Sequence, residues 1–286
     1  MAYLNFSVRF YIFERSPNLE RMSSETENEK AYIRKLETEL EQLRKQSKEL
    51  DSFSSIASHD LKEPLRKIML FSKLVIDAEK EKVSETSARY LERIAVSADR
   101  LQHLIDDLIA YSRTGTEKIK FTKTNLNQIV AAAKSELKES IKAKNVEITA
   151  DELPTIHALK SQMTQLFTNL LSNSIKYSKA DEISQIHISC EKATADSLSK
   201  LNTQPEMTYY KIAISDNGIG FPNEFSEVIF EPFKRLHGKD DYAGTGIGLA
   251  ICKKIVENHN GFIAAESEPG KGTVFSVFLP DQETKN

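Results

Sequence analysis

Two short glycine clusters in the second half of the chain constrain its fold more than any other feature. The first is Asp216-Asn217-Gly218-Ile219-Gly220, and the second is Gly244-Thr245-Gly246-Ile247-Gly248. Glycines allow a backbone to approach phosphate groups closely, and helix N-termini attract anions. Because the second cluster leads into a helical pattern at 246–259, it is placed to present backbone N–H groups to a polyphosphate. This placement suits a nucleotide pocket, although a Gly-x-Gly-x-Gly pattern alone is weak evidence for one, and the order of the other motifs has to support it.

An asparagine-rich helical stretch precedes both clusters. Asn169 and Asn173 are four residues apart and share one helix face, with Lys176 and Tyr177 one turn further on. Two amides and a lysine on one helix edge suit a metal-bridged triphosphate, although a solvent-facing polar stripe has the same spacing. The chain has neither a Walker A lysine pattern nor a dinucleotide-binding βαβ fingerprint, so a P-loop and a Rossmann site are both disfavoured.

The bulk composition narrows the class of protein. The 286 residues suggest about two domains, and 40% hydrophobic with 28% charged residues is typical of a soluble globular chain. A net charge of −3 disfavours nucleic acid or an anionic membrane as the main partner, and no apolar run is long enough to span a bilayer. Cys190 and Cys252 lack ligand spacing, so we expect free thiols in a reducing, cytoplasmic compartment.

The first 52 residues predict two non-globular segments. The first covers residues 1–22, where positions 3–13 alternate apolar and polar residues, which indicates a strand-like edge element or the end of a larger sensor. Within 23–52, apolar residues step by three and four, and charged residues fill most other positions. A solvated single helix could carry such a stripe, but the stripe is narrow, so we favour a parallel coiled-coil dimer.

The region 53–114 predicts a helical hairpin. One helical pattern runs past His59 to Val75, with a bend expected at Pro64, and a second runs from about Ser87 to Arg113. A short polar loop separates the two patterns, so the helices should be antiparallel. Two copies of this hairpin would cover both apolar faces as a four-helix bundle, and a linker is expected near 114–116.

The region 115–281 predicts an α/β layer sandwich, with a sheet on one side and helices on the other. Helical patterns cover 126–143, 160–178 and 246–259. Strand-like runs cover 145–150, 155–159, 185–193, 208–214, 262–267 and 273–279, with a polar loop at 194–207 and a short tail at 282–286. Asp216-Asn217-Gly218 could also form a hairpin turn, but the residues after it do not alternate like a returning strand.

The order of these motifs resembles that of bacterial sensor histidine kinases, most closely the phytochrome-like subgroup. The similar segments are 58–64 (H-box), 169–173 (N-box), 216–220 (G1 box), 230–235 (F-box) and 244–248 (G2 box). The resemblance covers roughly residues 50–280. It implies an α plus α/β protein: a coiled coil, a dimeric helical hairpin, and then a GHKL (Bergerat) sandwich that binds ATP. Residues 230–243 correspond to the ATP lid, with Gly238 and Gly244 as hinges.

Carried over onto this chain, the resemblance implies a set of nucleotide-site residues. Asn173 is expected to hold Mg²⁺ against the phosphates of ATP, with Asn169 beside it. Lys176 should touch phosphate, Tyr177 should pack on the adenine, and Asp216 should accept the adenine amino group. The other residues expected at the nucleotide are Gly218, Gly220, Arg235, Gly244, Thr245, Gly246, Gly248 and Leu249.

The resemblance also implies a reaction. His59 would receive the γ-phosphoryl group with Asp60 orienting its ring, and would pass it to an aspartate of a separate response regulator receiver domain. Related ATPases carry a glutamate base at the position of Asn169, so plain ATP hydrolysis is disfavoured. Glu63 replaces a threonine or asparagine of many relatives, which predicts weak phosphatase activity. A catalytically silent, nucleotide-binding dimeric adaptor is the alternative.

Overall fold

The computed structural model describes residues 61–77, 84–113, 121–194, 208–236 and 244–281, together with Tyr32, Lys35, Thr38 and Glu39. The chain divides into two compact units, Met1–Phe53 and Ser54–Asn286. In the first unit, the four described residues are helical. The strand-like segment, the core positions of the coiled coil, His59, Asp60, the linker at 114–116 and the tail lie outside the described residues.

Two helices open the second unit. Residues 61–77 form α1, and α2 spans Glu85–Arg113. The Ser84 hydroxyl accepts a hydrogen bond from the Ser87 backbone N–H at 3.1 Å, which is how an N-capping side chain satisfies a free donor of the first turn. This cap explains why α2 begins slightly before the expected start. An ion pair between Lys62 and Asp106 links α1 to α2.

The rest of the unit is an α/β domain. Its strands are β1 (Thr122–Asn125), β2 (Val146–Ala150), β3 (Thr155–Ala158), β4 (Ser184–Lys192), β5 (Tyr209–Asp216), β6 (Phe262–Glu268) and β7 (Gly272–Pro280). Its helices are α3 (Leu126–Glu136), α4 (Lys138–Ala143), α5 (Lys160–Lys176) and α6 (Gly248–Asn258). Five strands form one mixed sheet in the order β2-β4-β5-β7-β6, and β1 pairs with β3 in a separate two-stranded sheet.

One face of the five-stranded sheet carries the core. Successive inward positions such as Ile212 and Ile214 in β5, and Phe275 and Val277 in β7, are buried. They share one hydrophobic cluster with the buried residues of α3, α5 and α6. Full burial of one such side chain contributes about 1.5–3 kcal/mol. The predicted arrangement, with helices on one side of the sheet, is therefore confirmed.

The structure corrects two details of the predicted elements. The pattern at 126–143 forms two helices, because the backbone at Leu137 has ψ 8° and leaves the helical region. Strand β1 was not predicted, since Thr122–Asn125 is entirely polar and forms a strand only by pairing with β3. In agreement with the sequence, residues 216–218 do not make a hairpin: β5 pairs with β4 and β7, and the next described strand in the chain is β6.

Candidate functional site

Two adjoining cavities lie between α5, the end of β5 and the loop before α6. The first is mostly apolar and is lined by Asp216, Ile219, Gly220, Phe221, Leu236, Thr273 and Phe275. The second is polar and is lined by Asp107, Asn169, Ser172, Lys176, Gly244, Thr245, Gly246 and Gly248. Both cavities share Asn173, Tyr177, Ile229, Lys234, Arg235 and Leu249. Apart from Gly218, the residues predicted at the nucleotide, Gly248 and Leu249 included, all line this double cavity.

Helix α5 positions four of these side chains. One face of the helix is buried in the core, through residues such as Phe167 and Leu170. Asn169, Asn173 and Lys176 follow at helical spacing on an adjacent edge, which lines the polar cavity. The Asn169 side-chain amide donates a hydrogen bond to the Gly248 carbonyl at 3.2 Å. The amide thereby ties α5 to the first residue of α6.

Asp216 is held in place at the end of β5. It continues the inward-facing series of buried β5 residues, so strand periodicity brings a carboxylate to the edge of the core. Its side chain accepts hydrogen bonds from the Ser174 hydroxyl at 2.9 Å, the Gly218 N–H at 3.0 Å and the Thr273 N–H at 3.1 Å. Burial nevertheless raises the pKa of this carboxyl, and the three hydrogen bonds oppose the rise.

Lys176 lies among other cations. Burial and the nearby Arg235 guanidinium lower its pKa to about 8. Its ammonium donates a hydrogen bond to the Tyr177 hydroxyl at 2.9 Å and lies 4.5 Å from the centroid of that ring. Behind it, the Lys144 ammonium donates to the Ile175 and Lys176 carbonyls at 2.9 and 2.7 Å, which caps the end of α5. This concentration of positive charge favours an anionic ligand.

Two glycines are required by the geometry of the surrounding loops. Gly220 has φ +60°, and a Cβ there would lie 2.1 Å from the Glu268 carbonyl oxygen. Gly246 has φ +81°, and a Cβ there would lie 3.0 Å from both the Lys234 carbonyl oxygen and the Phe233 carbonyl carbon. The backbone of the second glycine cluster therefore packs closely against residues 233–235, at the start of the predicted lid. The rest of that lid, residues 237–243, lies outside the described part of the chain.

Sequence reasoning missed three polar residues that hydrogen-bond to predicted residues of the site. Ser174 and Thr273 support Asp216, and Asp107 accepts a hydrogen bond from the Thr245 hydroxyl. Asp107 and Thr245 are 138 residues apart, so no local sequence signal could have paired them. Ser174 lies on α5 one residue after Asn173, and its spacing to the asparagines could have drawn attention to it.

Buried His259 has a structural role. Its Nδ1 donates a hydrogen bond to the Ile255 carbonyl at 2.7 Å, and its Nε2 accepts one from the Leu159 N–H at 3.0 Å. Burial lowers its pKa, which keeps the ring neutral. Cys190 and Cys252 are free thiols, as expected.

Two family models match the chain in sequence. The model described as "His Kinase A (phospho-acceptor) domain" matches residues 49–117. The model described as "Histidine kinase-, DNA gyrase B-, and HSP90-like ATPase" matches residues 158–283. The first match includes His59, and the second includes every predicted nucleotide-site residue.

Curated relatives include phytochromes and sensor-like histidine kinases. Cyanobacterial phytochrome A of Nostoc is 37% identical over 238 residues, which are 83% of this chain and 29% of the relative. The sensor-like histidine kinase SenX3 of Mycobacterium tuberculosis is 31% identical over 234 residues, 80% of this chain and 53% of the relative. The chain spans about three tenths of the length of the phytochromes that it matches.

Solved structures share the fold. Full-length ShkA in complex with AMPPNP matches 80% of this chain and 45% of that chain, with a TM-score of 0.58 and 21% identity. Histidine kinase ThkA in complex with the response regulator protein TrrA matches 84% of this chain and 65% of that chain, with a TM-score of 0.53 and 23% identity. Within the described residues, no helix is long and apolar enough to cross a membrane.

The phospho-acceptor and ATPase matches occur in the order that the motifs predicted, and phytochrome-type and sensor kinases are similar over most of the chain. This chain belongs to the sensor histidine kinases, with a phospho-acceptor domain followed by a GHKL-type ATPase domain.

Proposed function

We propose that the protein is an ATP-dependent protein-histidine kinase that phosphorylates itself on His59 and passes the phosphoryl group to a response regulator. The observation that carries the proposal is the division of the cavity into an apolar half containing Asp216 and a polar half containing Lys176, with Arg235 lining both. A purine base and a polyphosphate require these two environments side by side.

The side chains present fit ATP. The Asp216 carboxylate, fixed by donors from α5, from its own loop and from β7, is an acceptor for an exocyclic amino group of the base. Tyr177 lies where the two halves meet, and its ring can pack on the base. Lys176 and Arg235 repel one another, and negative phosphate oxygens would relieve that repulsion.

The amides of Asn173 and Asn169 line the polar half and can serve a hydrated Mg²⁺. This ion usually keeps several waters and takes few protein ligands when substrate phosphates are present. When bound, it would neutralise phosphate charge. Asn173 would hold it directly, and Asn169 would lie beside it while its amide stays bonded to Gly248.

The acceptor of the phosphoryl group is His59. Its neutral ring nitrogen attacks the γ-phosphorus, the bond from that phosphorus to the bridging oxygen breaks, and ADP leaves. Asp60 orients the ring and accepts the proton from the second ring nitrogen. Asn169 cannot act as a base toward water as a glutamate could, which disfavours simple ATP hydrolysis. The phospho-acceptor family match over residues 49–117 supports this assignment.

An exposed apolar face on the two helices supports a homodimer. Large apolar side chains exposed there are Leu61, Ile68, Leu70, Phe71, Leu74 and Val75 of α1 and Tyr90, Ile94, Val96, Leu101 and Leu108 of α2. Many large apolar side chains exposed on two neighbouring helices are typical of an interaction site. A second copy of the hairpin would bury it as a four-helix bundle, and the receiver domain of a response regulator would dock near His59. Because Glu63 is a carboxylate, we expect phosphatase activity to be weak.

The test is incubation of the full chain with γ-labelled ATP and Mg²⁺, followed by acid and alkali treatment. We expect acid-labile, alkali-stable label that His59→Gln abolishes. His103→Gln is the matched control, because His103 is an exposed histidine of α2 whose ring contacts Asp99 of the same helix. We expect this variant to keep its label.

Other outcomes would replace the proposal. Tight Mg-ATP binding without any label would favour a nucleotide-binding adaptor. Steady phosphate release that survives His59→Gln would indicate an ATPase.

A further inference from the structure

A carboxylate of the helical domain lines the polar half of the cavity. Asp107 lies on α2, within the phospho-acceptor match, yet it lines the polar cavity together with Asn169, Lys176 and Gly244. Its side chain is half-buried, and burial raises the pKa of its carboxyl against the opposing effect of the Thr245 hydrogen bond. The helical domain therefore adds a negative charge to a site whose other charged groups, Lys176, Lys234 and Arg235, are cations.

The position of Asp107 matters because of what it contacts. The Thr245 hydroxyl donates a hydrogen bond to its carboxylate, and the same hydroxyl accepts the Ile247 N–H at 3.3 Å. Thr245 lies in the glycine loop that leads directly into α6 at Gly248. At the N-terminal end of a helix, free backbone N–H groups and the helix dipole attract an anion. In this arrangement, the anion beside the loop is a carboxylate of the protein.

A second contact holds α2 in this position. The Lys254 ammonium of α6 donates a hydrogen bond to the Tyr111 carbonyl at 2.7 Å and lies 4.5 Å from the centroid of the Tyr111 ring. A cation is favourable near the C-terminal end of a helix, and Tyr111 is in the last turn of α2. Leu104 and Ala110 of α2 also pack against the core of the α/β domain.

We propose that Asp107 occupies part of the anion site that the terminal phosphates of a nucleotide require, so that nucleotide binding and docking of α2 on the α/β domain oppose each other. The proposal rests on the proposed function, because it assumes that the polar cavity receives phosphates. Polyphosphate binding would break the Asp107–Thr245 hydrogen bond and release the end of α2. By thermodynamic reciprocity, docking of α2 weakens nucleotide binding by the same factor.

If the charge of Asp107 competes with phosphates, removing it should change binding affinity most for the ligand with the most phosphate charge. Replacing the carboxylate with the neutral amide, Asp107→Asn, should tighten binding of Mg-ATP to the full chain by about tenfold, as expected for one nearby charge in a partly buried site. Binding of ADP should tighten less, and binding of adenosine should be unchanged, because the effect follows the phosphate charge. Asp107→Glu keeps the charge and should leave affinity near that of the wild type. Titration calorimetry with the three ligands measures all of these affinities.

Asp106→Asn is the matched control, since Asp106 is adjacent on α2 but pairs with Lys62 and does not line the cavity. We expect no more than about a twofold change for any ligand, because its charge is more exposed and screened. In the wild type, Mg-ATP should also speed hydrogen exchange of the backbone amides near Tyr111. Adenosine should not, since it leaves Asp107 in place.

The results of these binding experiments distinguish a failure of this proposal from a failure of the proposed function. Unchanged or weaker Mg-ATP binding in Asp107→Asn, with normal binding to the wild type, would overturn the competition while the nucleotide site stands. Equal tightening of adenosine and ATP would also overturn it. Failure of every nucleotide to bind any variant would overturn both proposals together.

Discussion

The two halves of the cavity are built differently. In the apolar half, the Asp216 carboxylate is satisfied by three donors from three segments of the chain, so its position is fixed before any ligand arrives. In the polar half, Lys176 and Arg235 repel each other, and Asp107 enters from another domain. The first half is preorganised, whereas the second is completed by whichever anion occupies it. We therefore expect changes in the apolar half to affect every nucleotide alike, and changes in the polar half to affect only those with phosphates.

Loss of the Asp216 carboxylate should have the largest effect. Asp216→Ala removes the proposed acceptor for the base and leaves the Ser174, Gly218 and Thr273 donors without the carboxylate that they contact. We expect about hundredfold weaker binding of both adenosine and ATP, and a stability loss of about 2 kcal/mol, as for unsatisfied buried polar groups. Titration calorimetry and thermal unfolding measure the two effects.

Asp151→Ala is the control for that change, because Asp151 is an exposed carboxylate outside the cavity, 3.6 Å from His187. It should leave binding unchanged. Retention of adenosine binding by Asp216→Ala, with loss of ATP binding alone, would contradict a base-recognition role for Asp216.

A methyl group at Gly246 should act on the polar half alone. Gly246→Ala introduces a contact of 3.0 Å with the backbone of residues 233–234 and should displace the glycine loop. We expect ATP affinity to fall by about tenfold, with adenosine affected far less. Gly270→Ala is a closely matched control: its φ is +80°, and, apart from its chain neighbours, no atom of the described residues lies within 4 Å of its added Cβ. Both variants carry the strain of a positive φ, about 1 kcal/mol, so equal losses of ATP binding would show that strain and not displacement is responsible.

The smallest expected effect is a pH dependence of ATP binding. Burial and Arg235 hold the pKa of free Lys176 at about 8. Phosphate favours the charged ammonium, so ligand binding raises that pKa and takes up a proton. The affinity for ATP should therefore be highest below about pH 8 and should decrease above it, by several-fold toward pH 9. Fluorescence titration across this range should show the decrease for ATP and not for adenosine.

Lys176→Met tests whether Lys176 is the titrating group. The variant should bind ATP more weakly and with a flatter pH profile. An unchanged profile in that variant would assign the titration to another group.

The sequence predicted the elements well where a local pattern carries the information. Strand alternation located β4, β5 and β7, and helical spacing placed Asn169, Asn173 and Lys176 on one edge of α5. Local patterns did not predict elements that depend on strand pairing or on the backbone geometry of a single residue. The break at Leu137 leaves the apolar spacing of α3 and α4 intact, so periodicity cannot reveal it. Likewise, β1 is a strand only because β3 supplies its hydrogen-bond partners.

By itself, the sequence predicted most of the residues that line the cavity, because motif order and spacing depend on neighbours in the chain. Tertiary structure decided how those groups are paired. It provided Ser174 and Thr273 as supports for Asp216, and it brought Asp107 to Thr245 across the boundary between the two domains. Burial, and with it the lowered pKa of Lys176, also exists only once distant segments exclude water. The physical reason is that desolvation and long-range hydrogen bonds depend on positions in space, which no local pattern records.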